Sequence, residues 1–276
     1  MSIKSMLYEI AKKVISFSGY DIYFIPIPKK VNHTDRVMIN VGAGNWSCDG
    51  WINLDYPSEW YKKSQKNHPF IPYDIRNDDL PYNDNSVDVI YCSHVIEHIE
   101  DKYIQKLFDE CHRVLKQGGV ARFTCPDAEF MYNVSKQKTE YWIWLDKNFN
   151  NYYKYNLNET KPRPVDYLVH EIATQKFISH VSTPKSAKDY LNEYNDLEMY
   201  DFFDYLTKDI QFRKDHVGNH INYWTFEKMK KMMNVAGFKT ILHSKYLGSV
   251  SCEMTLKSQF DITHPEMSLY VEVIKN

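Results

Sequence analysis

Along the chain, compact apolar runs alternate with stretches of helical spacing, and the alternation becomes regular after residue 36. Val37–Val41 is a short apolar run ending in Gly42-Ala43-Gly44, and Trp51–Asp55 is a second run ending in an acid. Phe70–Ile75 reads as a third strand, followed by the polar stretch Arg76–Asn85; Val87–Cys92 is a fourth, compact enough for burial on both faces. Ile104, Leu107, Phe108, Cys111, Val114 and Leu115 then share one face of a helix expected over Lys102–Lys116. Gly118-Gly119 closes that helix, because glycine supplies the positive φ that helix ends often need. Val120–Cys125 is the fifth strand, stopped by Pro126. Strands alternating with helices predict an α/β, Rossmann-like, doubly wound and mostly parallel sheet.

The rhythm fails over 130–215, where Tyr, Asn and Lys dominate and no glycine occurs before Gly218. Helical stretches are expected within Lys185–Leu206, and Pro162 and Pro164 break the earlier part. This segment reads as an inserted helical or irregular cap facing the substrate. Regularity returns with a helix over Thr225–Ala236, opened by a good cap residue and ended by Gly237. Phe238–Leu247 and Ser268–Ile274 are two closing strands. At the other end, Ile3, Leu7, Ile10, Val14 and Phe17 lie at helical spacing, and Ile22–Pro28 reads as extended. The expected organisation is a lead-in over 1–35, a ligand-binding core over 36–129, the insert over 130–215, and the rest of the core sheet over 216–276. A helix over residues 3–17 packs on the domain or touches a membrane surface.

Composition narrows the function. The 276 residues carry 34 basic and 36 acidic side chains, a net charge of -2, so no global attraction draws the chain to a phosphate backbone, and nucleic acid is not an expected partner. The cysteines Cys48, Cys92, Cys111, Cys125 and Cys252 are odd in number and form no CxxC pair, which fits reduced thiols rather than a disulfide framework or a zinc ribbon. No apolar run approaches the roughly 20 residues of a membrane span, and the first residues lack the apolar core of a signal peptide. A cytoplasmic location is expected.

Three features carry chemistry. Glycines at the end of the first strand let the backbone approach a ligand closely. Asp55, ending the second strand, is placed to accept from the hydroxyls of a ribose. Asp74, near the end of the third, is placed to accept from an adenine amino group. Successive strand ends form the crevice where open α/β sheets bind ligands. Ser47 stands where a dinucleotide fingerprint needs its third glycine, and Asp55 arrives far sooner than the roughly 20 residues such a fold expects, which disfavours NAD. The absence of a GxxxxGK[ST] motif excludes a P-loop.

The stretch INVGAGNWSCDGWINLD, Ile39–Asp55, resembles the opening motif of class I S-adenosylmethionine-dependent methyltransferases, in a subgroup with a short connection before the second strand. YDIRNDDLPYNDNSVDVIYCSHVIEH, Tyr73–His98, and the run Cys111–Gly119 continue the likeness, with Gln117 in place of the family's proline and Asn40 where many members carry an acid. The resemblance spans about 36–127 and Trp224–Phe238. It implies a seven-stranded sheet with an antiparallel last strand, S-adenosylmethionine as cofactor, and contacts from Gly42, Ala43, Gly44, Asp55, Asp74, Ile75, Ser93 and His94.

The run His94-Val95-Ile96-Glu97-His98 also fits the HxxEH zinc pattern, but it directly follows a buried strand, and no metal is expected from it. Cys125 reads as a buried strand residue. The expected reaction is methyl transfer to a small-molecule hydroxyl, most simply that of a sugar or a surface-polysaccharide precursor, since related enzymes occur in such pathways. The candidates for removing the acceptor's proton are His98, His94, His220 and Asp127. Two alternatives are a non-catalytic nucleoside-binding scaffold of the same fold and transfer of a different group from the same cofactor.

Overall fold

In a computed structural model, residues 36–137, 163–177 and 190–276 are described. The expected helix over 3–17, the extended Ile22–Pro28 and parts of the insert lie outside the described residues. Seven strands form one sheet: β1 Met38–Val41, β2 Trp51–Asp55, β3 Ile71–Pro72, β4 Val87–Ser93, β5 Leu115–Pro126, β6 Thr240–His243 and β7 Ser268–Ile274. Their order is β3-β2-β1-β4-β5-β7-β6. The first five run parallel, and β7 is antiparallel to both β5 and β6. The central strand β1 is buried along its whole length, pairing Met38 with Trp51 and Val89, and Val41 with Leu54 and Cys92. This explains why its apolar residues do not alternate with exposed ones; the one polar residue, Asn40, is buried as well.

Two helices cover one face. Asp101–Val114 (α2) buries Ile104, Leu107, Phe108, Cys111 and Val114, one stripe at helical spacing. Phe226–Val235 (α7) is capped by Thr225, whose hydroxyl accepts from the Lys228 backbone N–H at 3.2 Å. Trp224 packs edge-on to Phe108, which meets Phe123 in the same way. α2 stops at Val114 rather than the expected Lys116. Leu115 is already extended and pairs with Val87, and the residues that follow bulge out of the ladder, with Gly118 at φ 76°.

The other face lacks a crossover helix between β1 and β2. The short link Gly42–Gly50 leaves space that Trp46, Trp51, Tyr91 and Phe260 fill, with ring centroids 5.0–6.5 Å apart. Beneath Tyr91 and Phe260 lies a fully buried ion cluster. Arg122 donates to Asp261 through two nitrogens, at 2.6 and 3.0 Å, and its Nη1 lies 3.1 Å from Glu272 Oε1. Removing one member of such a cluster strands a buried charge. The cluster therefore fixes the loop after β6, which delivers Gln259, Ile262 and Thr263 to the cavity described below.

The third strand is much shorter than the expected Phe70–Ile75. Pro72 supplies no ladder donor and both residues of β3 are exposed at the sheet edge. In the insert, Ala128–Gln137 (α3), Pro164–Ile172 (α4), Leu191–Asp196 (α5) and Met199–Thr207 (α6) enclose a separate apolar cluster that includes Met131, Leu168, Phe202 and Phe203. Pro164 does not break a helix; it begins one, at the position where its missing N–H costs nothing. The short helix Lys62–Gln65 (α1) follows β2. Among the described residues no helix is long and apolar enough to cross a membrane.

Candidate active site

A cavity of about 400 Å³ opens at the carboxyl ends of β1, β2 and β4, within the size range of small-molecule sites. One wall is the run from Asn40 to Asp55. Gly42 and Gly44 take φ of 74° and 58°, values that disfavour any other residue. At Gly42 there is a second requirement, because a Cβ there would lie 2.2 Å from Val95 Cγ2. At Gly44 a Cβ would meet nothing, so that glycine borders open space.

Asp55 closes this wall. Its Oδ2 accepts from the Gly44 N–H at 2.8 Å and from Gln65 Nε2 at 3.0 Å, and its Oδ1 accepts from the Tyr56 N–H at 2.8 Å. Burial raises its carboxyl above the usual range, against the opposing pull of these three donors. A carboxylate offers about four acceptor positions, and three are filled, leaving capacity on Oδ1 for a ligand hydroxyl. The glycine link, the open space at Gly44 and this partly satisfied acid fit the ribose end of a nucleoside.

The second wall is built around the turn after β4. His94 has φ 54°, and its N–H bonds to Thr124 O at 2.8 Å. Its Nε2 lies 2.9 Å from Ser268 Oγ, and its Nδ1 lies 3.2 Å from Glu97 Oε1. Glu97 is only 1% exposed, yet neither of its oxygens receives a hydrogen bond of good geometry. Burial alone would raise its carboxyl, but His94, His98 and His220 outweigh that and hold it low. His98 Nδ1 is 3.0 Å from Asn219 O, and its ring sits edge-on to His220 at 4.7 Å. Burial pushes His98 down to about 4, so its imidazole is neutral at pH 7. Arg76 completes the wall, stacking 3.4 Å above the centre of the Phe212 ring and bonding to Glu100 and His98 O.

Gly42, Ala43, Gly44, Asp55, Ser93, His94 and His98 all line this cavity. Ser93 shares a 2.7 Å hydroxyl contact with Thr124. Asp74 and Ile75 are not among the lining residues. Asp74 closes a turn instead, accepting from the Arg76 N–H at 2.9 Å and from Asn77 Nδ2 at 2.7 Å, while Ile75 is core. Asp127 caps α3 by accepting from the Phe130 N–H at 2.9 Å, and burial raises its carboxyl. His220 stands behind His98, with Nδ1 2.6 Å from Glu171 O. Arg76, Trp46, Tyr61 and Phe212 line the cavity without having been singled out in the sequence. Only Arg76 had a local signal, its place directly after the third strand.

Residues 51–123 match the family model of a methyltransferase domain. No curated protein matches the sequence. Solved structures similar to this chain include an S-adenosylmethionine-dependent methyltransferase from Mesorhizobium loti, 14% identical over 87% of this chain and 91% of that one, with a TM-score of 0.42. Another, described as a possible histamine N-methyltransferase from Thermotoga maritima, is 12% identical over 98% and 89%, with a TM-score of 0.40. A putative methyltransferase from Haloferax volcanii, solved with the Trm112 activator, is 12% identical over 87% and 83%, also at 0.40. At such distances these likenesses carry no weight on acceptor or mechanism. The matched domain runs from the start of β2 into β5 and so contains Asp55 and the whole His94–His98 turn. The strand order is the one that the sequence resemblance implies, and residues 51–123 match a methyltransferase domain, with S-adenosylmethionine as the cofactor.

Proposed function

We propose that the methyl group goes to a hydroxyl oxygen of a small acceptor, with a sugar or surface-polysaccharide precursor as the acceptor class. The observation that carries the hydroxyl reading is His98. It lies on the cavity wall, burial keeps it neutral, and its Nδ1 faces a carbonyl oxygen. A carbonyl only accepts, so the proton sits on Nδ1 and Nε2 is able to receive another. Asn45, Gln259 and Thr263 beside Trp46 and Phe212 give the mixed polar and aromatic lining that suits a polyhydroxylated ring. Two described tyrosines of the insert, Tyr190 and Tyr194, do not add to this, because they are buried against Asp166 and Ser135.

When bound, S-adenosylmethionine supplies a methyl carbon made electrophilic by its sulfonium. His98 Nε2 would take the proton of an acceptor hydroxyl as that oxygen becomes the nucleophile toward the methyl group. The glycine link and Asp55 would hold the nucleoside, and the second wall would orient the acceptor, so the chain contributes chiefly by positioning. Calorimetric titration with S-adenosylmethionine and S-adenosylhomocysteine tests the first half. Asp55→Ala should weaken both by about 10–100-fold, the loss of a hydrogen bond to a charged acceptor. A panel of nucleotide sugars, phenols and amines tests the second half. Product from a phenol or an amine, with none from any sugar, would sink the saccharide reading.

A further inference from the structure

We propose that Glu97, His98 and His220 form a binding site for one divalent transition-metal ion at the edge of the cavity. A ligand atom from each lies within 4.8 Å of the other two. Sequence spacing hides this set: His94 and His98 look like the metal pair, but His94 Nε2 is engaged with Ser268, while His220 arrives from a distant segment.

Two independent features make the three residues resemble a prepared ligand set. First, both imidazoles are turned the same way. His98 Nδ1 lies 3.0 Å from Asn219 O and His220 Nδ1 lies 2.6 Å from Glu171 O. Each carbonyl can only accept, so each Nδ1 carries a proton, and in the neutral ring it is Nε2 that presents the lone pair. Metal-bound histidines are oriented by this kind of outer bond. Second, Glu97 is buried, and among the described residues both of its oxygens lack a hydrogen-bond donor. A buried carboxylate without donors is costly unless something positive meets it. His94 approaches Oε1 at 3.2 Å without the geometry of a hydrogen bond, which leaves Oε2 unanswered.

His98 Nε2 is 4.0 Å from Glu97 Oε1. Bonds of about 2.1 Å to a tetrahedral ion would bring donor atoms to roughly 3.4 Å, so small side-chain movements close the set. Two imidazoles and one carboxylate suit Zn²⁺, Co²⁺ or Ni²⁺ better than Mg²⁺ or Ca²⁺, which prefer all-oxygen sites. His98 belongs both to this set and to the cavity wall. An ion there would acidify an acceptor hydroxyl in place of a free imidazole, a consequence that rests on the methyl-transfer reading.

The test is titration of the metal-stripped full chain with Co²⁺, followed by its visible absorption, and with Zn²⁺ by elemental analysis after desalting. The expected result is one ion per chain, with affinity about 100-fold or more weaker in His220→Ala and Glu97→Gln. His220→Ala is the safer variant should Glu97→Gln fail to fold, because His220 is only partly buried. No stoichiometric binding, or binding unchanged in a folded His220→Ala, would overturn the site. S-adenosylhomocysteine binding is measured on the same preparations: if it persists while the metal fails, only this inference falls.

Discussion

One wall of the cavity, from Asn40 to Asp55, is a single run of chain, whereas the other joins the His94–His98 turn to Asn219, His220 and Ser268 from much later in the sequence. In the first wall, backbone conformation and one carboxylate do the work, and each residue's role follows from its position at a strand end. In the second, the side chains matter through one another, and none of them has a meaning before the chain has folded. Local constraint makes a site recognisable; long-range assembly leaves room for it to specialise.

The largest expected effect comes where the walls touch. Gly42→Ala puts a methyl group against Val95 of the second wall and forces an unfavourable φ. It should cost about 2–5 kcal/mol in chemical denaturation. Adding Val95→Ala removes the collision but not the strained φ, so the double variant should recover about 1 kcal/mol or more relative to the sum of the singles. Strict additivity would show that the walls are not mechanically joined there.

A smaller effect isolates the second wall. Asn222 is buried and donates to Ile99 O at 2.9 Å and to Asp101 Oδ1 at 2.8 Å, while its backbone N–H bonds to Glu97 O. Asn222→Ala should cost about 1–3 kcal/mol in thermal or denaturant unfolding. S-adenosylhomocysteine affinity should not change; a parallel loss of affinity would mean that the two walls act as one.

The gentlest perturbation acts on the first wall through pH. On the proposed reading Asp55 would accept ligand hydroxyls as the carboxylate, and burial raises its pKa. Cofactor affinity should therefore be full at neutral pH and fall on acidification, starting above the value of about 4 typical of an exposed aspartate. Asp55→Asn should flatten that limb of the profile in a calorimetric pH series. An unchanged profile would assign the limb to another group.

The same contrast governs what could be read from sequence. β1, β2, β4 and β7 were legible because fully buried or alternating strands leave an unambiguous pattern, and the bounds of β7 agree with those expected. Thr225 announced its helix by a local hydrogen bond. The third strand was overread because apolar content alone does not set strand length. Pro72 ends the ladder early, and Asp74 finds turn donors within a few residues. Pro164 misled in the opposite direction, since a proline that interrupts one helix is equally suited to start another. The pairing of His98 with His220 had no sequence signal, because it depends on a carbonyl at Asn219 and another at Glu171 that only the folded chain brings into place.

The missing helix between β1 and β2 has a practical consequence. The indole of Trp46 fills part of that gap and also borders the cavity, with Trp51 edge-on at 5.6 Å and Phe260 at 5.4 Å. A ligand entering the cavity should change the surroundings of that indole. The ultraviolet emission of the protein is therefore expected to shift on loading, a readout that needs no label.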